Sequence, residues 1–318
     1  MNFIFISPHY PRTYWQFCDR LARAGVNVLG IGDTPYFNLT DPLKNALTEY
    51  YYLDSLEDYD QVYRAVAFFA FKYGRVDWIE SNNAYWLGLD AHLREDFHVI
   101  TGAMPEEAGA WKEPDYVRRR CRMADVPCAV GEEIGGGRLC SYNAITNAEG
   151  EPLFEGMTFS PDMDSCCVSP EMPEALREMG RAALEKAFHV PSRFANLRFL
   201  RRGPEDYALV KADMSPGAGW LPDLMNYAYS TDAYEIWAEM VSEGKRTLPA
   251  SPERHWCAGA RRRDRHGWLH SHDEVLSRFG GRIAMYEVLR DGAECSYALH
   301  AYSEDEAKAF ISYIHARA

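Results

Sequence analysis

The sequence predicts an α/β protein in two parts: an N-terminal half built on a parallel sheet and a C-terminal α+β half built on a mainly antiparallel sheet. In the first part, apolar strands alternate with amphipathic helices, which is typical of a parallel sheet covered on both faces. In the second part, strands follow one another across short polar turns. A chain of 318 residues, 47% of them hydrophobic, is long enough to bury a core in each part.

The N-terminal half is predicted to have a Rossmann-like order of elements. These are a strand at 2–7, a helix at 14–24, a strand at 26–31, a helix at 58–73, a strand at 76–80 and a further helix around 86–93. No Gly-x-Gly-x-x-Gly follows the first strand, so the sequence does not indicate a dinucleotide site. Ligands of open α/β sheets bind beyond the carboxyl ends of the strands, which makes Ser7 and His9 candidate crevice residues. Trp15 is a third candidate, with packing in the core as an equal alternative.

A domain boundary is predicted at the glycine-rich stretch 131–137, so that a linker at 106–137 separates residues 1–105 from residues 138–318. The three consecutive glycines lack a Lys-Ser/Thr partner, and a plain turn is favoured over a phosphate loop. The linker contains a charged helix at 116–123. The elements predicted beyond it are strands at 138–146, 152–159, 193–201, 207–213, 257–262, 282–290 and 296–301, and helices at 173–188, 221–229, 233–241 and after the N-cap Ser303.

Composition restricts the classes of partner. The formal net charge of −13 opposes binding to nucleic acid and to anionic membranes. The first residues lack a basic segment and their apolar run is too short for a signal peptide, so a cytoplasmic protein is expected. The eight cysteines are scattered without a Cys-x-x-Cys pair, and buried reduced thiols are expected.

Three further motifs have a structural interpretation that is favoured over a functional one. The neighbouring thiols Cys166 and Cys167 could oxidise or bind a soft metal, but a disulfide between adjacent residues is strained. The basic run at 261–266 is more typical of a solvated turn than of a phosphate or partner contact. His270 and His272 have a spacing compatible with a metal on a strand, yet no third ligand is evident and a surface turn is favoured.

Taken together, a set of segments resembles the ATP-grasp carboxylate–amine ligase-like proteins, and the resemblance covers nearly the whole chain. Each segment alone would be a weak signal. In the N-terminal half they are Asn2-Phe-Ile-Phe-Ile-Ser-Pro-His-Tyr-Pro, Tyr14-Trp15, Val26-Asn-Val-Leu-Gly-Ile-Gly-Asp33, Asn45-Ala-Leu-Thr-Glu-Tyr50, Phe71-Lys-Tyr-Gly-Arg-Val-Asp77 and Ile79-Glu-Ser-Asn82. In the C-terminal half they are Ser141-Tyr-Asn-Ala-Ile-Thr146, Asp223-Leu-Met-Asn-Tyr-Ala228 and Ala260-Arg-Arg262.

The chain departs from the pattern of this family in three places. The resemblance implies a central nucleotide-clamp subdomain before residue 138, whereas here the linker at 106–137 would be its remnant, so that the C-terminal domain is a truncated ATP-grasp domain. The family pattern has metal-binding Glu where Arg198 and Lys211 stand, and Asn where Asp213 stands. A guanidinium or ammonium group has no lone pair for a cation. Ser215 occupies a loop position where the family has an Arg that is expected near the substrate.

The resemblance implies further candidate crevice residues and two alternative functions. The candidates are Glu80, Asn82, Ser215, Asn226 and Arg262. The first expectation is a catalytically degenerate protein, without cofactor, that binds a small anionic metabolite or a partner protein such as an intact ligase. The alternative is an active ligase that uses ATP and magnesium to form an acyl phosphate, completed by a partner or a homo-oligomer. Arg198 and Lys211 are expected either to clamp an anion or, as the favoured interpretation, to pair with Asp213 or another carboxylate.

Overall fold

The computed structural model describes residues 1–131, 137–217, 219–264, 267–289 and 294–318. Its N-terminal half contains a four-stranded parallel sheet in the order β3-β2-β1-β4. The strands are β1 (Asn2–Ile6), β2 (Asn27–Gly32), β3 (Glu49–Tyr52) and β4 (Trp78–Glu80). The helices are α1 (Trp15–Arg23), α2 (Asp41–Ala46), α3 (Tyr59–Tyr73), α4 (Leu87–Asp96), α5 (Pro105–Ala110) and α6 (Pro114–Met123), with 3-10 turns at Arg12–Tyr14 and Tyr36–Asn38.

The helix α3 illustrates how local sequence signals define a helix of the N-terminal half. The Asp58 carboxylate accepts a hydrogen bond from the Gln61 backbone N–H, which caps the first turn. Gly74, with φ of 87°, ends the helix in a conformation that other residues rarely adopt. The buried face, which includes Val62 and Phe69, packs on the sheet as its spacing predicts. The structure adds β3, α2 and α5, which the sequence did not predict.

The C-terminal half contains an eight-stranded antiparallel sheet in the order β11-β12-β10-β7-β6-β5-β8-β9. The predicted combination of a parallel and an antiparallel sheet is therefore confirmed. The strands are β5 (Arg138–Thr146), β6 (Pro152–Phe159), β7 (Ser165–Ser169), β8 (Arg193–Arg201), β9 (Tyr207–Asp213), β10 (Trp256–Arg262), β11 (Ile283–Leu289) and β12 (Glu294–Ala301). The helices are α7 (Glu174–Ala182), α8 (Leu221–Tyr229), α9 (Ala233–Glu243), α10 (His272–Phe279) and α11 (Glu304–Ile314), with a π-helical segment at Ala183–Phe188 and a 3-10 turn at Gly280–Arg282.

The large sheet is covered differently on its two faces. One face packs against α6, α7 and α11 and buries side chains such as Tyr142, Leu197 and Phe310. The other face packs against α8 and α9, which also contact α1 of the N-terminal half. Phe17 of α1 lies with its ring centroid 4.9 Å from that of Trp237 in α9. The two halves therefore share a core, and this core holds in place the surfaces that face each other between them.

The helices of the described ranges are short or carry many charged residues. Among them, none combines the length and the apolar character that a helix needs to cross a bilayer.

Candidate functional site

A cavity of about 660 Å³ lies over the face of the large sheet that meets the N-terminal half. Its walls come from six strands, from the loop that leads into α8, and from Ala84 just before α4. Side chains with charge or hydrogen-bonding groups dominate the sheet wall. They are Ser141, Thr158, Ser160, Asp162, Asp164, Ser165, Asn196, Arg198, Lys211, Asp213, Ser215, Arg261 and Arg263.

Arg198 and Lys211 stand directly opposite each other on adjacent strands of this wall. They are paired across β8 and β9, and Ser141 of β5 is paired with Arg198 on its other side. Lys211 and Asp213 are two residues apart on one strand, so they point to the same face. Lys211 Nζ lies 2.8 Å from Asp213 Oδ2. The sequence-based expectation that Lys211 pairs with Asp213 agrees with this contact.

Arg198 has no carboxylate partner in the described part of the chain. Its side chain is exposed to the cavity, and neither an ion pair nor a hydrogen bond of its guanidinium is found among the described residues. The other arginines of the wall are paired: Arg261 with Glu294, and Arg263 with Asp164. Arg198 is thus positioned to receive an anion that enters the cavity.

Beside these charges, buried amide side chains form a hydrogen-bonded row across the sheet. Asn143 Nδ2 donates to Thr158 Oγ1 at 3.1 Å, and Asn196 Nδ2 donates to Asn143 Oδ1. Asn196 is in turn the cross-strand partner of Asp213. This row holds the polar side chains of the sheet wall in fixed rotamers, so the wall is organised before any ligand binds. Sequence reasoning did not single out Asn143 or Asn196, because their partners are distant along the chain.

The groups at this wall do not fit a magnesium–nucleotide complex. Magnesium requires oxygen ligands in near-octahedral geometry. Arg198 and Lys211 offer none, and the Asp213 carboxylate is already bound by the Lys211 ammonium. In the described ranges, no group of three or more His, Cys, Asp or Glu side chains is arranged to hold a metal ion.

Four predicted crevice residues lie at the carboxyl edge of the parallel sheet. Ser7 and His9 follow β1, whereas Glu80 ends β4 and Asn82 follows it, so the pairs flank the point where the strand order reverses. His9 Nε2 lies 3.4 Å from Asp33 Oδ1. Burial lowers the pKa of His9, and the attraction of Asp33 opposes that effect only in part. None of these four residues lines the cavity, to which the N-terminal half contributes Ala84.

Glu80 is a buried structural group. Its Oε2 lies 2.8 Å from Arg94 Nη2 and 2.6 Å from Arg193 Nη2, while Oε1 accepts the backbone N–H groups of Ser81 and Asn82. Burial raises the pKa of Glu80, but the two guanidinium groups outweigh it and leave the pKa below its ordinary value. Glu80 is therefore an ionised carboxylate that links the two halves.

Three other candidates lie away from the sheet wall. Trp15 is half-buried and packs at the edge of the core shared by the two halves. The Asn226 side-chain oxygen accepts from the Ala233 backbone N–H at 2.6 Å and so supports the start of α9. Arg262 points to the opposite face of β10, where its Nε donates to the Ile314 carbonyl at 2.8 Å. Its strand neighbours Arg261 and Arg263 line the cavity instead.

The adjacent cysteines lie on opposite faces of β7. Cys166 lines the cavity, whereas Cys167 packs into the core on the far side of the sheet. Alternation along a strand keeps the two thiols from sharing a ligand, and both are free. Burial raises the pKa of Cys166 to about 12, so its thiol stays protonated at neutral pH.

The two histidines of the proposed metal motif lie at the start of a helix rather than on a strand. His270 stacks on Tyr313 with ring centroids 3.6 Å apart, and Ser271 caps α10, in which His272 is the first residue. His270 and His272 therefore do not lie on one strand, as the metal-site interpretation would require. Residues 132–136 of the glycine-rich stretch and 265–266 of the basic run lie outside the described residues.

Comparisons with known proteins identify the fold. Neither a protein-family model nor a curated protein sequence matches the chain. Solved structures do match: an L-amino acid ligase from Bacillus licheniformis superposes with a TM-score of 0.74 at 11% identity, over 98% of this chain and 96% of that chain. A phosphoribosylglycinamide synthetase from Anaerococcus prevotii gives 0.72 at 11% identity, over 98% and 97%.

A third structure has the same relationship to the chain. The phosphoribosylaminoimidazole carboxylase ATPase subunit from Aquifex aeolicus superposes with a TM-score of 0.69 at 10% identity, over 99% of both chains. Identities this low show a shared architecture and leave the activity open. The two sheets, their connections and these superpositions agree with the resemblance found in the sequence, and they show that the chain has an ATP-grasp fold.

Proposed function

We propose that this chain binds a small anionic metabolite in the cavity between its two halves and does not carry out ATP-dependent ligation. The observation that supports this proposal most directly is the pair Arg198 and Lys211 on the cavity wall. Two cations directly opposite each other on adjacent strands repel. Asp213 relieves the charge of Lys211, and a bound anion would relieve that of Arg198.

The size and polarity of the cavity suit a small metabolite. Its volume of about 660 Å³ falls within the range of roughly 300–1,000 Å³ that is typical of small-molecule pockets. The lining includes four basic side chains (Arg198, Lys211, Arg261 and Arg263) and three acidic ones (Asp162, Asp164 and Asp213). The wall is therefore slightly cationic within a chain whose formal net charge is −13. This local excess favours an anion, while the neighbouring serine and asparagine groups provide hydrogen bonds.

Loss of ligation is argued from the chemistry of phosphoryl transfer. Stabilising the charge on a transferring phosphoryl group depends on metal ions held by carboxylates, and the wall does not offer a suitable set of ligands. Only residues 124–137 separate α6 from β5, which is too short for the nucleotide-clamp subdomain that the family resemblance implies at this place. Ser215, buried in the loop before α8, cannot replace a guanidinium toward an anionic substrate.

Calorimetry with metal chelated tests the proposal. The wild type is titrated with a panel of carboxylates and phosphate esters in EDTA, and at least one compound is expected to bind. The double variant R198Q/K211Q should lose about tenfold or more in affinity, because hydrogen bonds to charged groups are worth roughly 1.5–3 kcal/mol. R23Q, which removes an exposed arginine of α1, serves as the matched control. Tight ATP binding that requires magnesium would refute the proposal.

An active ligase is the second candidate, and the shared architecture favours it. The superpositions cover 96–97% of the chains of an L-amino acid ligase and a synthetase, and the cavity has a volume that suits a metabolite. In this case a second subunit or a partner protein would supply the missing metal ligands and nucleotide contacts. The test is ADP release with a panel of carboxylates and amines, with and without magnesium. ADP above background for any pair would establish the activity, and none for all pairs would count against it.

A further inference from the structure

A second, smaller cavity lies at the other end of β6, away from the first one. Its volume is about 160 Å³, and it shares no lining residue with the larger cavity. The walls come from the start of β6, the helix α7, the end of α8 and the loop before β10. The side chains that matter for its chemistry are Glu155, Arg177, Tyr229, Thr231, Arg246 and Arg254.

The cavity has an excess of positive charge. Three arginines, Arg177, Arg246 and Arg254, line it together with one carboxylate, Glu155. The charge of Glu155 is already neutralised by Arg181, a residue that does not line the cavity. Arg181 Nε and Nη2 donate to the two carboxylate oxygens at 2.8 and 2.5 Å. The nearest Arg177 nitrogen, Nη1, is 3.7 Å from the same carboxylate. Arg177 therefore shares its charge with carboxylates, whereas the guanidinium groups of Arg246 and Arg254 form no ion pair with a carboxylate among the described residues.

Two of the arginines are held in place while part of each guanidinium stays available. Arg246 donates through Nε to the Leu248 carbonyl at 2.7 Å and through Nη1 to the Leu153 carbonyl at 3.0 Å. Arg254 lies over the Tyr229 ring, with its Cζ 5.2 Å from the ring centroid. Burial lowers the pKa of Arg246 against the opposing attraction of Glu239, and the positive charge of Arg254 lowers it further. Both guanidinium groups line the same small cavity, and their like charges repel each other.

Unsatisfied buried groups also point to a missing partner. Thr231 Oγ1 is buried and has no hydrogen-bond partner among the described residues. The same holds for Arg177 Nε, since Glu174 Oε2, at 3.3 Å, is outside hydrogen-bond geometry. Buried polar atoms without partners are costly, and an acceptor in the cavity would remove that cost at Thr231, whereas Arg177 Nε keeps its ion pair with Glu174. Thr231 can donate its hydroxyl proton to the same acceptor.

We propose that this second cavity binds one small oxyanion, a phosphate or carboxylate group, between Arg246, Arg254 and the Thr231 hydroxyl. The volume is below the roughly 300–1,000 Å³ of ordinary ligand pockets, so it holds one such group rather than a whole nucleotide. Arginine is suited to this role because its planar donors match the oxygens of both anions. The inference does not depend on what the larger cavity binds.

Titration calorimetry at constant ionic strength tests this site with inorganic phosphate and, separately, with acetate. Wild-type protein is expected to bind at least one of the two, and the stronger of them identifies the preferred group. R254Q and T231V should each weaken that binding, R254Q by about tenfold or more. R23Q is the control for loss of one arginine. The melting temperature without anion shows whether each variant is folded.

The double variant R198Q/K211Q separates the two cavities. If it keeps the binding that R254Q and T231V lose, the second cavity is the site. The proposal is overturned if neither anion binds the wild type below about 10 mM, a free energy of roughly −2.7 kcal/mol. It is also overturned if R254Q binds as tightly as R23Q, or if R198Q/K211Q abolishes the binding.

Discussion

Arg193 Nη2 lies 2.6 Å from Glu80 Oε2, and this ion pair joins the start of β8 to the end of β4. Both side chains are buried, and Arg94 Nη2 shares the same carboxylate oxygen at 2.8 Å. The neighbouring Asp90 carboxyl is also buried, and burial together with the charge of Glu80 raises its pKa well above the usual range. This contact between the halves therefore consists of buried charged groups, and removing one of them would leave another charge buried without its partner.

Replacing Arg193 should therefore destabilise the whole chain. In R193M, the Glu80 carboxylate would keep Arg94 as its cation and lose the one that crosses to the other half. We expect the free energy of unfolding to fall by about 3–5 kcal/mol, as for other buried pairs that lose one partner. Urea denaturation measures this loss. R23M, at an exposed ion pair, should change little, and an equal loss in both variants would contradict the prediction.

Asp223 should make stability depend on pH. Burial raises its pKa to about 6, although Gln16 and Tyr234 both donate to its carboxylate. The folded chain therefore holds this proton up to about pH 6, whereas the unfolded chain releases it near pH 4. The contribution of Asp223 to stability is present at low pH and is lost as pH rises through this window, by about 3 kcal/mol in total.

The variant D223N isolates this contribution, because an amide does not titrate and can keep the contact with Gln16. Unfolding free energies of both proteins are measured in urea between pH 4 and pH 7. The difference, D223N minus wild type, should grow by about 2 kcal/mol over that range, because part of the total is already lost at pH 4. A difference that stays constant with pH would show that Asp223 titrates normally in the folded state.

Gly219 lines the cavity and is in close contact with the N-terminal half. A Cβ at this position would fall 2.4 Å from Pro11 Cβ, and Thr13 Oγ1 donates to the Gly219 carbonyl at 2.6 Å. G219A should push the loop before α8 away from the N-terminal half and cost about 1–3 kcal/mol. Gly88, in α4, has nothing within 4 Å of such a Cβ. G88A should be neutral or stabilising by up to about 1 kcal/mol, and thermal denaturation compares the two.

The strands of the C-terminal half show how far local pattern reaches. The bounds of β5, β6, β8 and β9 agree with the sequence prediction, since each has clear alternation and a polar turn beside it. The strand β7 was missed because Ser165 to Ser169 is a run of small residues, buried on both faces, that has little strand signal. The helix α10 was missed although Ser271 and Glu274 form a capping box, a signal that was visible in the sequence.

The candidate site shows where local pattern stops. The common face of Lys211 and Asp213 follows from their spacing, but the cross-strand neighbours of Arg198 depend on a register that only the folded sheet fixes. On β10, the sequence drew attention to Arg262, whereas Arg261 and Arg263 line the cavity. A shift of one residue on a strand changes the face, and without the partner strand the sequence could not decide between them.

Carboxylates introduced on the cavity wall should create a metal site. In R198E/K211E, two new carboxylates would stand opposite each other on β8 and β9, beside an Asp213 that Lys211 no longer neutralises. Three carboxylates on one face attract a divalent cation, whereas without one they repel and lower the free energy of unfolding. Titration with Mn²⁺, followed by electron paramagnetic resonance, should detect binding to this variant and a gain in its melting temperature when the metal is added.

R198Q/K211Q is the matched control, since it removes the same cations without adding carboxylates. It should remain insensitive to Mn²⁺ at concentrations that saturate the acidic variant. If R198E/K211E also fails to bind Mn²⁺ while remaining folded, the two positions do not face a common point, and the geometry proposed for anion binding would be wrong as well. If it binds Mn²⁺, the side chains at positions 198 and 211 decide whether this wall attracts a cation or an anion.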